Sequence, residues 1–205
     1  PTTQKTRSKL EIKKEDLPLV TMSLANNNHS ISFLIEKIPS EINRVEYELI
    51  YNAKDKDGRE FPKGQSGSSE NPGEKLEKEV LMGTESCTTG TCRYFYDENV
   101  NNGNLILTFI DKENRVAMFK IPFIILKPKE TTSLSLLSLE NSSAFQAEII
   151  SKSQTFAIIH SALGMPKPPE SENYYGPFFA SANTPTAYEL KTDLKIYGFD
   201  PKAQQ

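Results

Sequence analysis

Apolar and polar residues alternate with a period of two along much of this chain, the spacing of strands with one face buried and the other wet. Residues 19–24 (LVTMSL) alternate in this way, Asn26-Asn-Asn-His-Ser30 reads as a turn, and residues 31–35 alternate again. The pattern predicts a hairpin that ends before Pro39, with His29 as a solvated turn residue. Residues 44–53 place Val45, Tyr47, Leu49 and Tyr51 on one face and Glu46, Glu48 and Ile50 on the other. Further strands are predicted at 75–82, 93–96, 105–110 and 116–126. Asn102-Gly103 reads as the apex of a turn over residues 99–104. Pro122 cannot donate to a ladder, so it implies an edge, a bulge or a kink in the last of these strands.

The pattern lapses in three places. Residues 1–16 are polar and charged and read as a flexible tether. Residues 54–73, rich in Gly, Ser, Pro, Lys and Asp, read as a long loop, functional or merely mobile. Lys127-Pro-Lys-Glu130 reads as a junction, beyond which strands are expected at 133–139, 145–150, 155–162 and 187–199. Leu134, Leu136 and Leu139 would also suit a helix, but the serine-rich spacing and the lack of caps favour a strand there, and no other stretch carries a helical signal. The expected fold is all-β with an immunoglobulin-like β-sandwich architecture. A β-sandwich domain at 17–127 and a smaller β domain at 128–205 are expected, with one sheet running through both as the alternative.

Cys87 and Cys92 are the only cysteines, separated by Thr-Thr-Gly-Thr. With Gly90 free to take a positive φ, the chain can fold back and bring the two within bonding range. A Cys87–Cys92 disulfide is therefore expected, pinning a local hairpin and pointing to an oxidising compartment. Closing so short a loop stabilises by only about 2 kcal/mol on chain-entropy grounds. Reduced thiols are the alternative. No metal is expected: a zinc site needs four ligands, and His29 and His160 are remote from the cysteines in sequence. Asp55-Lys-Asp57-Gly58 lacks the later ligands of a calcium loop.

Composition narrows the function classes. A net charge of −3 leaves no basic footprint for nucleic acid. No apolar run approaches the ~20 residues of a membrane helix. Pro1 stands where an initiator Met would be, so a mature or trimmed form is expected, with a targeting or anchoring segment ahead of Pro1. The expected location is extracellular or the cell surface, reached by the secretory pathway, with membrane attachment only through that missing tether.

The chain resembles uncharacterised β-rich cell-surface proteins of small-genome bacteria of the candidate phyla. The likeness is carried by Val45-Glu-Tyr-Glu-Leu-Ile-Tyr51, Leu81-Met-Gly-Thr84 leading to Cys87, Cys92-Arg-Tyr94, and Asn104-Leu-Ile-Leu-Thr-Phe109, with Leu163-Gly-Met-Pro166 and Tyr175-Gly-Pro-Phe178 later in the chain. It spans about residues 17–200. It implies export and an amino-terminal anchor, and it brings no activity and no site residues.

Catalytic signatures are missing. There is no phosphate-cradling glycine loop, no Gly-x-Ser-x-Gly elbow and no His-Glu-x-x-His. His160 reads as a strand histidine at the edge of a core. No cofactor and no enzymatic activity are expected. The candidate binding patch is Tyr174, Tyr175, Phe178 and Phe179, the most aromatic stretch in the chain. Exposed, it would stack on sugars or enter a protein groove; buried, it would close a sheet, and burial is favoured for the Phe pair. The expected function is that of a non-catalytic surface protein in structure, adhesion or partner recognition, with a protein or glycan partner. Two rivals are a carbohydrate-binding module using the tyrosines and a pilus or filament subunit that self-assembles by strand addition.

Overall fold

The computed structural model describes residues 7–54, 57–126, 133–137, 144–150, 155–160, 163–164, 178–182 and 189–191. Among these residues the fold is all-β, with one turn of 3-10 helix at Lys14–Asp16. The first strands are β1 (Leu19–Leu24), β2 (Ser30–Glu36), β3 (Ile42–Lys54), β4 (Glu60–Glu70) and β5 (Lys75–Leu81). A short ribbon follows, β6 (Gly83–Thr88) and β7 (Thr91–Tyr96), then two long strands, β8 (Asn102–Asp111) and β9 (Val116–Leu126). The later part contributes β10 (Ser133–Leu137), β11 (Ala144–Ile150), β12 (Phe156–His160), β13 (Phe178–Ala182) and β14 (Glu189–Lys191).

Among the described residues four sheets result, ordered β1-β2-β5, β13-β12-β9-β8-β3-β4, β6-β7 and β10-β11-β14. The first two share one core. Val20, Met22, Ile31, Phe33, Ile35 and Val80 come from the small sheet, and Val45, Leu49, Tyr51, Leu105, Leu107, Phe109 and Phe123 from the large one. These are the apolar positions of the period-two pattern, so the alternation read from the sequence is the inward face. Each such side chain removed from water contributes about 1.5–3 kcal/mol.

Three stretches differ from the pattern-based expectation. The presumed loop at 54–73 contains β4, which pairs with β3 without a break from Arg44↔Glu70 to Lys54↔Glu60. Its alternation is real but is built from Gly, Ser and charged residues, so hydrophobic periodicity does not register it. Asn102-Gly103 is not a turn apex but the start of β8, opposite Ile124 and Phe123. A Cβ at Gly103 would strike the Ile50 carbonyl and the Phe123 ring, so this glycine serves close packing. Within the presumed tether, Leu10 N–H donates to the Val116 carbonyl and Val116 N–H to that of Ser8, and Leu10 is buried.

The large sheet also crosses the junction at 127–130. β12 pairs with β9 from Phe156↔Leu126 to Ile159↔Phe123, and β13 extends the sheet. Among the described residues, β10, β11 and β14 form a sheet confined to the later part. Pro122 lies one residue beyond the reach of β12, where its missing N–H interrupts no ladder on that side.

An aromatic ribbon closed by a disulfide

β6 and β7 form a ribbon that neither core sheet covers: from Thr84 through Tyr96 every strand residue is exposed. The register is Gly83↔Tyr96, Thr84↔Phe95, Glu85↔Tyr94, Ser86↔Arg93, Cys87↔Cys92 and Thr88↔Thr91. Thr89 and Gly90 make the two-residue turn, with φ of 44° and 83°. Positive φ at both positions is what the tight primed hairpin turn requires. Directly behind it Cys87 and Cys92 are bonded, with Cα atoms 4.1 Å apart. The disulfide expected from the spacing is therefore present and does pin a local hairpin.

The side-chain period of two divides the ribbon into two faces. One face carries Glu85, Cys87, Cys92, Tyr94 and Tyr96; the other carries Thr84, Ser86, Arg93 and Phe95. Tyr94, Phe95 and Tyr96 are 48%, 64% and 43% exposed, so large rings meet solvent on both faces. Tyr96 stacks on His29, with ring centroids 3.9 Å apart and planes 9° from parallel. Tyr94 lies parallel to Tyr96 at 6.1 Å. His29, expected as a solvated turn residue, thus props the aromatic row. Its own position is set by the β1–β2 turn, where its N–H donates to Asn27 Oδ1 and its carbonyl accepts from Met82 N–H.

Glu85 organises the same face. The Tyr94 hydroxyl donates to its carboxylate, and that bond together with the nearby negative charge holds the phenol above its ordinary pKa. Glu85 Oε1 lies 3.1 Å from Cys87 Sγ. A bonded sulfur has no proton to give, so this is a contact rather than a hydrogen bond. Among the described residues Glu85, Cys87 and Cys92 are the grouping with metal-ligand chemistry. The disulfide leaves them no thiolate to offer.

The root of the ribbon is tied to the large sheet through β3 and β4. Tyr51, fully buried in β3, donates a 2.7 Å hydrogen bond to Asp97 Oδ2, and Lys63 of β4 forms an ion pair with the other oxygen of Asp97. Gln65 Nε2 donates to the Gly83 carbonyl at 2.8 Å. Asp97 N–H donates to the Met82 carbonyl, and Lys54 N–H to that of Glu98. Burial pushes the Tyr51 phenol well above its ordinary pKa, and acceptance by Asp97 adds to the shift. The phenol therefore stays a donor.

Elsewhere the described surface offers less chemistry. A shallow depression lined by Ser40, Glu41, Asp111, Lys112, Glu113 and Arg115 holds one buried carboxylate, Asp111. That carboxylate is committed to the turn: it accepts from the N–H groups of Glu113 and Arg115 and from Arg115 Nε at 2.6 Å.

Of the patch expected at Tyr174, Tyr175, Phe178 and Phe179, the described residues include only the phenylalanine pair. Phe178 and Phe179 begin β13, opposite His160 and Ile159, while Tyr174 and Tyr175 lie outside the described residues. The sequence carries part of the signal for the ribbon. Arg93-Tyr-Phe-Tyr96 puts large rings on both faces of a strand whose partner, Gly83-Thr-Glu-Ser-Cys-Thr88, has no apolar side chain to cover them. Comparison of the chain with protein-family models, with curated proteins and with solved structures finds no match.

Proposed function

We propose that this chain is a non-catalytic recognition protein that works outside the reducing cytosol, and that the β6–β7 ribbon is the part that meets its partner. One observation carries the reading: three adjacent aromatic side chains, Tyr94, Phe95 and Tyr96, stand in solvent on a covalently closed ribbon. The exposed surfaces of these rings have no packing role there, although Tyr96 also stacks on His29. Tyrosine and phenylalanine on a rigid support are what dominate protein interfaces, because they bury much area with little entropy to lose. The exposed disulfide supports the oxidising location. No helix among the described residues is long and apolar enough to cross a membrane. Display at a cell surface completes the reading. An immunoglobulin-like sandwich with the ribbon at one pole is its finer description of the fold.

A protein partner fits better than a glycan. Sugar rings pack on open aromatic faces, and the stacking of His29 on Tyr96 covers one face of each. Rings on both sides of a ribbon suit a crevice that surrounds it.

The test is binding of labelled protein to intact cells, with and without protease treatment of the cell surface. Wild type is expected to bind saturably to untreated cells only. Changing Tyr94 and Phe95 to Ser should weaken binding by at least about thirtyfold while melting is unchanged. Equal binding by the variant would overturn the role of the ribbon. Binding that survives protease and is competed by simple sugars would transfer the function to carbohydrate recognition.

A further inference from the structure

Gly64 is a residue the fold does not ask for. It sits inside β4, paired with Ile50 in an unbroken register, and its φ is not positive. A Cβ there would meet the Leu49 carbonyl oxygen at 3.5 Å and Ile50 Cγ1 at 3.9 Å, ordinary contacts that any residue tolerates. Gly67, three residues on, is different: the Tyr47 ring occupies the space its Cβ would need. A strand-interior glycine marks a bulge or the close approach of another group. No bulge interrupts the β3–β4 register, and among the described residues nothing approaches Gly64 more closely than ordinary contact.

The backbone around Gly64 is turned outward. Successive residues of a strand send their N–H and C=O groups to opposite sides. In β3, Lys54 N–H donates to Glu98, on the β8 side, while the Asn43 carbonyl accepts from Asn71, on the β4 side. Odd-numbered residues of β3 therefore bond to β4, and their partners there are Phe61, Lys63, Gln65, Gly67 and Ser69. That leaves the amides and carbonyls of Gly64, Ser66 and Ser68 facing away from the sheet, along an edge that no strand among the described residues covers. Pro62 belongs to the same outward set and lacks a donor, which marks one end of the open stretch.

Edge strands are usually guarded by charge, but the charges of β4 are paired with β3 or with the ribbon root. Glu60 pairs with Lys54 and Glu70 with Arg44, each at 3.4 Å, and Lys63 pairs with Asp97.

We propose that the edge of β4 from Gly64 to Ser68 accepts an extended segment of a second, different polypeptide by strand addition, independently of the ribbon. The small side chains of the acceptor define the occupant. Cross-strand pairs stabilise a sheet through side-chain packing, and glycine and serine supply almost none. The incoming strand must bring that packing itself, through β-branched or aromatic residues beside Gly64, Ser66 and Ser68. A second copy of β4 would set small residues against small residues over one short strand, too little burial for a stable dimer.

The experiment is selection of a randomised peptide library, about ten residues long, on the intact protein. The control is Ser66→Pro, which removes an outward N–H that β3 does not use. Clones rich in Val, Ile, Thr and aromatic residues are expected to bind wild type and to lose about tenfold or more on Ser66→Pro. They should slow hydrogen exchange at Gly64, Ser66 and Ser68 and should bind the Tyr94→Ser, Phe95→Ser variant normally. A selection that yields no clone sensitive to Ser66→Pro would overturn the proposal, provided that variant melts like wild type. Concentration-dependent dimers that Ser66→Pro abolishes would also overturn it, by making the second copy the occupant.

Discussion

The Tyr51 hydroxyl donates to Asp97 Oδ2 at 2.7 Å, joining the buried face of β3 to the residue at which the aromatic ribbon ends. With Lys63 on its second oxygen, Asp97 is a nearly buried carboxylate that needs both partners. Tyr51→Phe should therefore destabilise the protein by about 1–2 kcal/mol in urea unfolding at neutral pH. It should also speed hydrogen exchange in β6 and β7 more than in β8. The raised Tyr51 pKa adds a signature. A group with a folded pKa above its unfolded one stabilises fully below the unfolded value, here 10.0, and progressively less as pH rises beyond it. Wild type should lose stability above about pH 10, and Tyr51→Phe should flatten that alkaline limb.

Asp111 governs the acid side. Burial alone would push its carboxyl up, but the Arg115 side chain and the N–H groups of Arg115 and Glu113 outweigh it and hold the carboxyl below its ordinary value of 3.8. A depressed folded pKa gives stability that is present above the unfolded value and is lost as pH falls through the folded one. Unfolding followed from pH 6 downward should show a loss that sets in below about pH 4, and Asp111→Asn should make that region flatter while lowering stability at neutral pH.

Two glycines of β4 should respond with opposite signs. Gly64→Ala places a methyl group in open contact range and removes unfolded-chain freedom, so it should stabilise by about 0.5–1 kcal/mol. Gly67→Ala must displace the Tyr47 ring, which rests edge-on against Phe33, and should destabilise by about 1–2 kcal/mol. Thermal melts of the two variants decide the point.

The ribbon turn is improvable. Thr89 holds a φ of 44°, a region unfavourable to a β-branched residue. Thr89→Asn supplies the Asn-Gly pair that this turn prefers and should stabilise the ribbon by about 1 kcal/mol. Slower reduction of the disulfide by dithiothreitol, with no change in the core, is the expected readout.

Strands that bury one face were legible wherever that face is apolar, as in Val45, Leu49 and Tyr51 or Leu105, Leu107 and Phe109. β4 was not, because an edge strand of glycine and serine carries no hydrophobic period. Asn102-Gly103 misled because the same dipeptide serves a tight turn or a crowded strand, and only the neighbouring Phe123 decides which. The cystine was legible from its spacing. The exposure of the aromatic row beyond it is not in the sequence, because exposure depends on what covers a strand. Nothing in Arg93-Tyr-Phe-Tyr96 itself says that neither sheet reaches it.

The most direct test of the recognition reading is hydroxyl-radical footprinting of the protein free and bound to intact cells. Met118, 68% exposed on the outer face of the large sheet, serves as an internal control. Tyr94, Phe95 and Tyr96 should be protected on binding while Met118 is oxidised as before. Unchanged labelling of the three rings in the bound protein would contradict the reading.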